Sequence, residues 1–371
     1  IDIPGHSRAA IKAMDARYAR YISTDPDRAR EYLLTDSCDT SVYRSAQEYT
    51  DNVMNIAMPS AYRFVRKVLG ELRRMYEKAG VELSVVHIGG DEVPRGAWSG
   101  SPICREFMDR NGFADTHALK DHFVRWLYGE LDAKGIRLAG WQEIVMLPDG
   151  RHVNRELPGR RILSYGWNTQ PGEGFDEVPY ALANAGYPVV LCNVTNLYLD
   201  LAYNKHHMEP GHRWGGYVDA RSTFDMLPYD IYRSVRTHPD GAPVDLISVS
   251  SGKESLSPDA RRNIVGIQGQ LWAETIRNFS MAEYLLFPKM YGLAERAWNA
   301  SPAWSEDPDG AEYRQALRRY NARIAAVEMP RLASLGVNFR VSPPGLKLQD
   351  GMLRANSAEP GATIRYTLDG S

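Results

Sequence analysis

Short apolar runs alternate with amphipathic helical stretches along most of the chain, and this alternation limits the possible folds more than any other feature. The runs are the opening Ile1 to Ile3, then LSVVHI, IRLAGW, RILSYGW, YPVVLCN and IVGIQGQLW. They are nearly continuously apolar, as expected of strands with helices on one face and a packed interior on the other. Between them, SAYRFVRKVLGELRRMYEKAG repeats Phe64, Val68, Leu72 and Met75 at helical spacing, and THALKDHFVRWLYGELDAKG is a second such stretch. Each ends in a glycine suited to a helix stop. The pattern predicts an α/β protein with a parallel sheet.

Polar residues gather just after the runs: Asp2 and His6, Asp91 and Glu92, Trp141 and Glu143, Trp167, Asn193 to Asp200, and Trp272 with Glu274. In a (β/α)8 TIM barrel those positions share one face and surround one active site. Six runs are two fewer than such a barrel needs. A doubly wound sheet of six strands is the alternative, but no glycine-rich phosphate loop follows any run. The expectation is therefore a barrel lacking its first two strands. The ends agree with that: IDIPGH reads as the close of a strand and ATIRYTLDGS as a strand cut at a turn, so a fragment truncated on both sides is expected. After a last helical region over 310–335, the proline pair and short alternating strands of VNFRVSPPGLKLQDG mark a new unit. The expected domains are a barrel over 1–341 and the start of a small all-β module over 342–371.

Charge and cysteines narrow the chemistry. A formal net charge of -2 supplies no basic field for nucleic acid. Cys38, Cys104 and Cys192 form no CxxC pair, which excludes a zinc ribbon or thioredoxin-type site and leaves room for at most one disulfide. No apolar run approaches the length needed to cross a bilayer. The 8 tryptophans suit a site that stacks flat, weakly charged ligands, although any one of them could simply fill the core.

The sharpest local feature is LSVVHIGGDEVPRGAW, with two neighbouring acids at the end of an apolar run. Burying an ionised carboxylate is costly unless it is paired, so a structural role alone is an uneasy explanation for Asp91 and Glu92. Consecutive side chains at a strand end diverge, which predicts separate roles for the two. Most glycosidases place two carboxylates about 5 Å or more apart across the scissile bond. An adjacent pair fits better a site where the nucleophile belongs to the substrate.

HIGGDE, at His87 to Glu92, resembles the signature of glycoside hydrolase family 20, the β-N-acetylhexosaminidases, and the similarity runs from DIPGH through Trp298. Within the family it is nearest to the bacterial chitobiases. This family is a known substrate-assisted exception to the two-carboxylate rule. The resemblance implies that Glu92 is the general acid and then base, with a pKa raised toward neutrality, while Asp91 orients the acetamido group. It implies that Trp141, Trp167 and Trp272 wall the pocket for the terminal sugar, that Tyr198 donates to the acetamido oxygen, and that Asp200 and Glu274 hold sugar hydroxyls. Asp2, His6 and His87 resemble residues supporting the site, and Trp214 is a candidate platform for a second sugar. The expected activity is removal of terminal N-acetylglucosamine from chitobiose or related glycans, with no cofactor and no metal. A periplasmic or secreted location is implied as well.

Other readings compete. Asp2 could cap the following helix, and Glu143 could be a surface acid. A non-catalytic glycan-binding relative would keep the aromatic pocket but has no need of an acid at the glycosidic oxygen. GGDE also occurs in the GGDEF signature of nucleotide cyclases, where Val93 and Pro94 would not be the continuation. His206, His207 and His212 in KHHMEPGH suggest a metal site, but no acidic cluster at helical spacing accompanies them, and a loop over the cleft is the preferred reading. The family's early-strand arginine is not found in this sequence, and the loops after Val42 and around Trp214 match the pattern less cleanly.

Overall fold

The computed structural model describes residues 1–157 and 161–370. The chain divides into two compact units, Ile1–Gly166 with Ala181–Val189, and Trp167–Tyr180 with Val190–Ser371.

In the first unit, helices α1 (Arg8–Tyr21), α2 (Pro26–Arg30) and α3 (Pro59–Lys78) precede strand β1 (Val85–His87). Helices α4 (Pro102–Asn111) and α5 (Thr116–Asp132) lead to β2 (Arg137–Trp141), and β3 (Leu163–Gly166) follows. The three strands are parallel neighbours, with His87 opposite Ala139 and Trp141 opposite Tyr165. Sequence explains the helix limits. Proline opens α3 and α4, where its missing N–H costs nothing, and Ser101 and Asp115 accept from the backbone N–H groups of Cys104 and Ala118. The left-handed glycines Gly80, Gly112 and Gly135 follow α3, α4 and α5. Leu119, Phe123, Leu127 and Leu131 of α5 are almost fully buried, each such side chain contributing about 1.5–3 kcal/mol over exposure.

Two expectations change here. Ile1–Ile3 is not a strand: the Ile3 N–H donates to Ile88 O at 2.8 Å, but Pro4 has no N–H with which to continue a ladder. On α3 the buried stripe is Ala61, Val65 and Leu69, one position away from the expected one, and Met75 is 65% exposed. Phe64, Val68 and Leu72 are half-buried flanks of that stripe.

The second unit holds most of β4 (Val189–Leu191) and all of β5 (Ile264–Ile267). The Gln268 N–H donates to Leu191 O, and beyond β5 the Gln270 N–H donates to Leu197 O while Gln270 O accepts from Leu199 N–H at 2.7 Å. Those bonds hold the segment carrying Tyr198 and Asp200. Helices Phe279–Leu286, Lys289–Trp298 and Ala311–Arg323 follow, the last running through a π-helical turn at Ile324–Glu328 into Met329–Ser334. An aromatic core of Phe224, Trp304 and Tyr313 carries the Arg296 guanidinium 5.2 Å from two of its rings. The chain then forms an antiparallel hairpin of β6 (Gly345–Gln349) and β7 (Met352–Asn356), turned through left-handed Asp350 and Gly351 and exposed along both strands. All three cysteines are free, Cys104 and Cys192 being buried. Among the described residues, no helix is long and apolar enough to cross a membrane.

Between β1 and α4 the backbone turns at two glycines that tolerate no side chain. A Cβ on Gly89, where φ is +73°, would stand 1.8 Å from Asp2 Oδ1, and one on Gly90 would stand 2.1 Å from Ile144 Cγ2. Gly89→Ala is expected to lower stability by about 2–4 kcal/mol, combining left-handed strain with displacement of Asp2. Gly80, with similar φ and open space around it, is the control. Its alanine variant should lose only about 1–2 kcal/mol. Equal losses by urea denaturation would remove any role for the Asp2 contact.

Candidate active site

The predicted site residues fall into two groups, one in each unit. In the first, strand β1 ends at His87, and the acids lie beyond it in a loop with Gly89, Gly90 and Glu92 all at positive φ. That corrects the expectation of divergence. Alternation holds only while the backbone stays extended, and here three left-handed residues turn both carboxylates toward one imidazole. His6 Nε2 lies 3.3 Å from Asp91 Oδ2 and 3.5 Å from Glu92 Oε2.

Asp2 completes this cluster. Burial and the neighbouring Asp91 carboxylate push its pKa up to about 7. Asp2 does not cap α1, whose N-cap is Ser7. The hydrogen bond to Asp91 raises His6 to about 9, overcoming its partial burial, so the imidazole is cationic at neutral pH. Among the described residues, Asp2, His6 and Asp91 bring ligand-type atoms within 4.8 Å of one another. With its proton on, the imidazole is a counter-charge for the acids.

His87 behaves oppositely. Burial lowers its pKa to about 4, so it is neutral. Its Nδ1 accepts from the Gly89 N–H at 3.1 Å, and its ring meets Trp141 and Tyr165 edge to face at 5.0 and 4.6 Å. Trp141 is buried at the end of β2. Glu143 is the second residue of the 3-10 turn Gln142–Val145 after it, and its backbone carbonyl accepts from Lys120 Nζ at 2.8 Å.

In the second unit, Trp167 stacks on Tyr198 at 6.4 Å, while Trp214 and Trp272 meet Tyr198 edge-on at 5.8 and 6.3 Å. Trp214 and Trp272 stay 48% and 37% exposed, so this aromatic cluster has faces open to a ligand. Asp200 is fully buried beside it, and that burial raises its pKa to about 6. Lys289 donates to the carbonyls of Leu199 and Leu201 at 2.8 and 2.7 Å, bracketing Asp200. Glu274 is more exposed, with His212 Nε2 3.8 Å from its Oε2.

Several participants escaped sequence reasoning. Gln47 donates to Glu92 Oε2 at 2.8 Å from a loop with no local signature. Tyr165 could have been found, since it lies opposite Trp141 in the register and two residues before Trp167. Within the KHHMEPGH run, Glu209 is buried in an ion pair with Arg340.

Parallel strands with acids and tryptophans just past their ends define a class of α/β carbohydrate-active proteins. Residues 1–301 match the model of the glycosyl hydrolase family 20 catalytic domain, and 328–371 match that of the chitobiase/β-hexosaminidase C-terminal domain. The chain belongs to glycosyl hydrolase family 20. It is 30% identical to a β-hexosaminidase of Vibrio vulnificus, over all of this chain and 45% of the relative. It is 32% identical to β-hexosaminidase B of Pseudoalteromonas piscicida, over 88% of this chain and 41% of that protein. The crystal structure of a family 20 exo-β-N-acetylglucosaminidase from Vibrio harveyi, in complex with N-acetylglucosamine, superposes with a TM-score of 0.66. That match has 30% identity and covers 92% of this chain and 42% of the other. The chain thus spans less than half the length of these relatives.

Proposed function

We propose that the protein is an exo-acting β-N-acetylhexosaminidase that removes terminal N-acetylglucosamine from chitobiose or related glycans. The observation that carries this reading is the convergence of Asp91 and Glu92 on the cationic His6. The two acids are chain neighbours turned onto one imidazole rather than groups placed on facing elements, which supports a site where the second flanking group comes from the sugar.

In this mechanism the 2-acetamido oxygen attacks the anomeric carbon as the glycosidic C–O bond breaks, and Glu92 gives its proton to the leaving oxygen. Asp91 accepts from the acetamido N–H and stabilises the positive charge of the resulting oxazolinium ion. Water then attacks the anomeric carbon as its bond to the acetamido oxygen breaks and the amide re-forms, and Glu92 takes a proton from the water, so the β configuration is retained. Trp141, Trp167 and Trp272 wall the sugar, and Tyr198 donates to the acetamido oxygen. Asp200 and Glu274 hold hydroxyls, and Trp214 offers a platform for the second sugar. Asp2, His6 and His87 support the acids in position. The same reading makes 1–341 a TIM-type barrel and 342–371 part of an immunoglobulin-like module, in a periplasmic or secreted bacterial enzyme.

The test compares a chromogenic N-acetylglucosaminide with the matching glucoside. Hydrolysis of the first is expected to be at least about 10³-fold faster, since the glucoside lacks the nucleophile. A thiazoline mimic of the bicyclic intermediate should inhibit strongly. Comparable cleavage of the glucoside would overturn the mechanism, and binding of N-acetylglucosamine with no cleavage would favour a glycan-binding role.

A further inference from the structure

Residues 203–213 form a strap held within the second unit. Its end near the sugar-binding residues lies along the segment carrying Asp200: the His212 N–H donates to Asp200 O at 3.0 Å, and His212 O accepts from the Ala202 N–H at 2.7 Å. Gly211 makes this approach possible. Its φ is +117°, and a Cβ there would stand 2.6 Å from Asp200 O and 2.8 Å from Ala202 N. The strap is closed on itself by Arg213, whose Nη2 donates to the carbonyls of His206, His207 and Glu209.

Its anchor is a buried ion pair. Glu209 and Arg340 are 9% and 6% exposed and meet through two parallel bonds, Nε to Oε1 at 3.1 Å and Nη2 to Oε2 at 3.2 Å. Tyr284 OH donates to Oε1 at 2.7 Å and Asn204 Nδ2 to Oε2 at 3.3 Å. The Arg340 guanidinium covers the Tyr203 ring at 4.5 Å, and its backbone N–H donates to Phe287 O. Arg340 belongs to the segment that leads into the β6–β7 hairpin, so the anchor ties that segment to the strap.

Buried ion pairs add little net stability, because desolvation offsets their attraction, and their best-attested use is to fix one register among several. What this one fixes is the height of His212, which reaches Glu274 at 3.8 Å. We infer that Glu209, Arg340 and His212 are positioning residues for recognition of the sugar hydroxyls, acting through Glu274 and Asp200. This rests on the reading of those two acids given above. It adds that the segment entering the C-terminal hairpin sets sugar affinity without touching the acid that cleaves.

The test is steady-state kinetics with a chromogenic N-acetylglucosaminide, using the intact enzyme and its His212→Ala, His212→Gln, Arg340→Lys and Arg340→Met variants. His212→Ala should raise KM about 5- to 10-fold, through loss of the contact that steadies Glu274, with kcat within about twofold. Glutamine, which keeps a donor near Glu274, should restore most of the affinity. Arg340→Met should raise KM similarly, and Arg340→Lys less, since lysine keeps the charge but not the paired geometry. The penalties should shrink on a 4-deoxy or 6-deoxy substrate lacking the hydroxyl that Glu274 holds.

If Arg340→Met does not fold, the partly exposed His212 carries the test. An unchanged KM in His212→Ala, or a fall in kcat at constant KM, would overturn the inference. Should the wild type fail to cleave N-acetylglucosaminides, the functional reading falls. The strap is then judged on Kd for N-acetylglucosamine, read by tryptophan fluorescence, and equal Kd in wild type and His212→Ala would refute it.

Discussion

Glu92→Gln in the intact enzyme lowers kcat for a chromogenic N-acetylglucosaminide by about 10²- to 10⁴-fold, the usual share of a general acid–base residue. KM should stay within about threefold, since the amide keeps the volume and polarity of the acid and removes only its transferable proton. Gln47 donates to Glu92 Oε2, and an amide oxygen can accept the same bond, so the loop has no reason to move. The loss should deepen as the leaving group becomes more basic, being largest for chitobiose, whose departing sugar most needs a proton. Equal rates for variant and wild type would remove Glu92 from the reaction.

Asp91→Asn is the second large effect, and it has two readouts. The first is a fall in kcat of about 10²- to 10³-fold, because the developing oxazolinium charge loses its counter-ion. Discrimination against the glucoside should shrink with it. The second concerns protons. The Asp91 hydrogen bond is the largest cause raising His6 to about 9 from its ordinary 6.5, and the Asp91 charge helps raise Asp2 from 3.8 to about 7.

In each case the folded protein keeps a proton that the unfolded chain has released. The contribution of His6 to stability is complete below pH 6.5 and is lost as pH rises to about 9. The Asp2 proton acts in the same direction between pH 3.8 and about 7, so wild-type stability from this cluster should decline with rising pH across both windows. Asp91→Asn should flatten that decline, in urea titrations at several pH values, and return the His6 NMR titration toward 6.5. A His6 pKa unmoved by the substitution would break the coupling on which the cluster depends.

The strands were legible because each is a short, largely apolar run, and β1 to β5 all lie within the expected runs, although β1 and β5 are partly exposed. The helix α3 was legible as a helix but not in its orientation. Ala61, Val65 and Leu69 face inward while Met75 is exposed, and hydrophobicity alone does not encode that choice of stripe. The acid pair was visible as a motif, yet its geometry followed from backbone torsions at Gly89, Gly90 and Glu92. Glycine announces such freedom, whereas a glutamate at positive φ gives no warning. Gln47 and Arg340 were invisible for another reason: each acts on a residue far away in the chain, and nothing local marks either as a partner.

The torsion of Glu92 carries a wider consequence. A non-glycine residue at φ +48° is held against an intrinsic cost of about 1–2 kcal/mol per residue. A laboratory search that rewarded thermal tolerance alone would therefore favour glycine at this position and harvest a sturdier, inert protein. Selection for chemistry and selection for robustness pull in opposite directions at this one codon, and keeping glutamate there requires continued demand for the reaction.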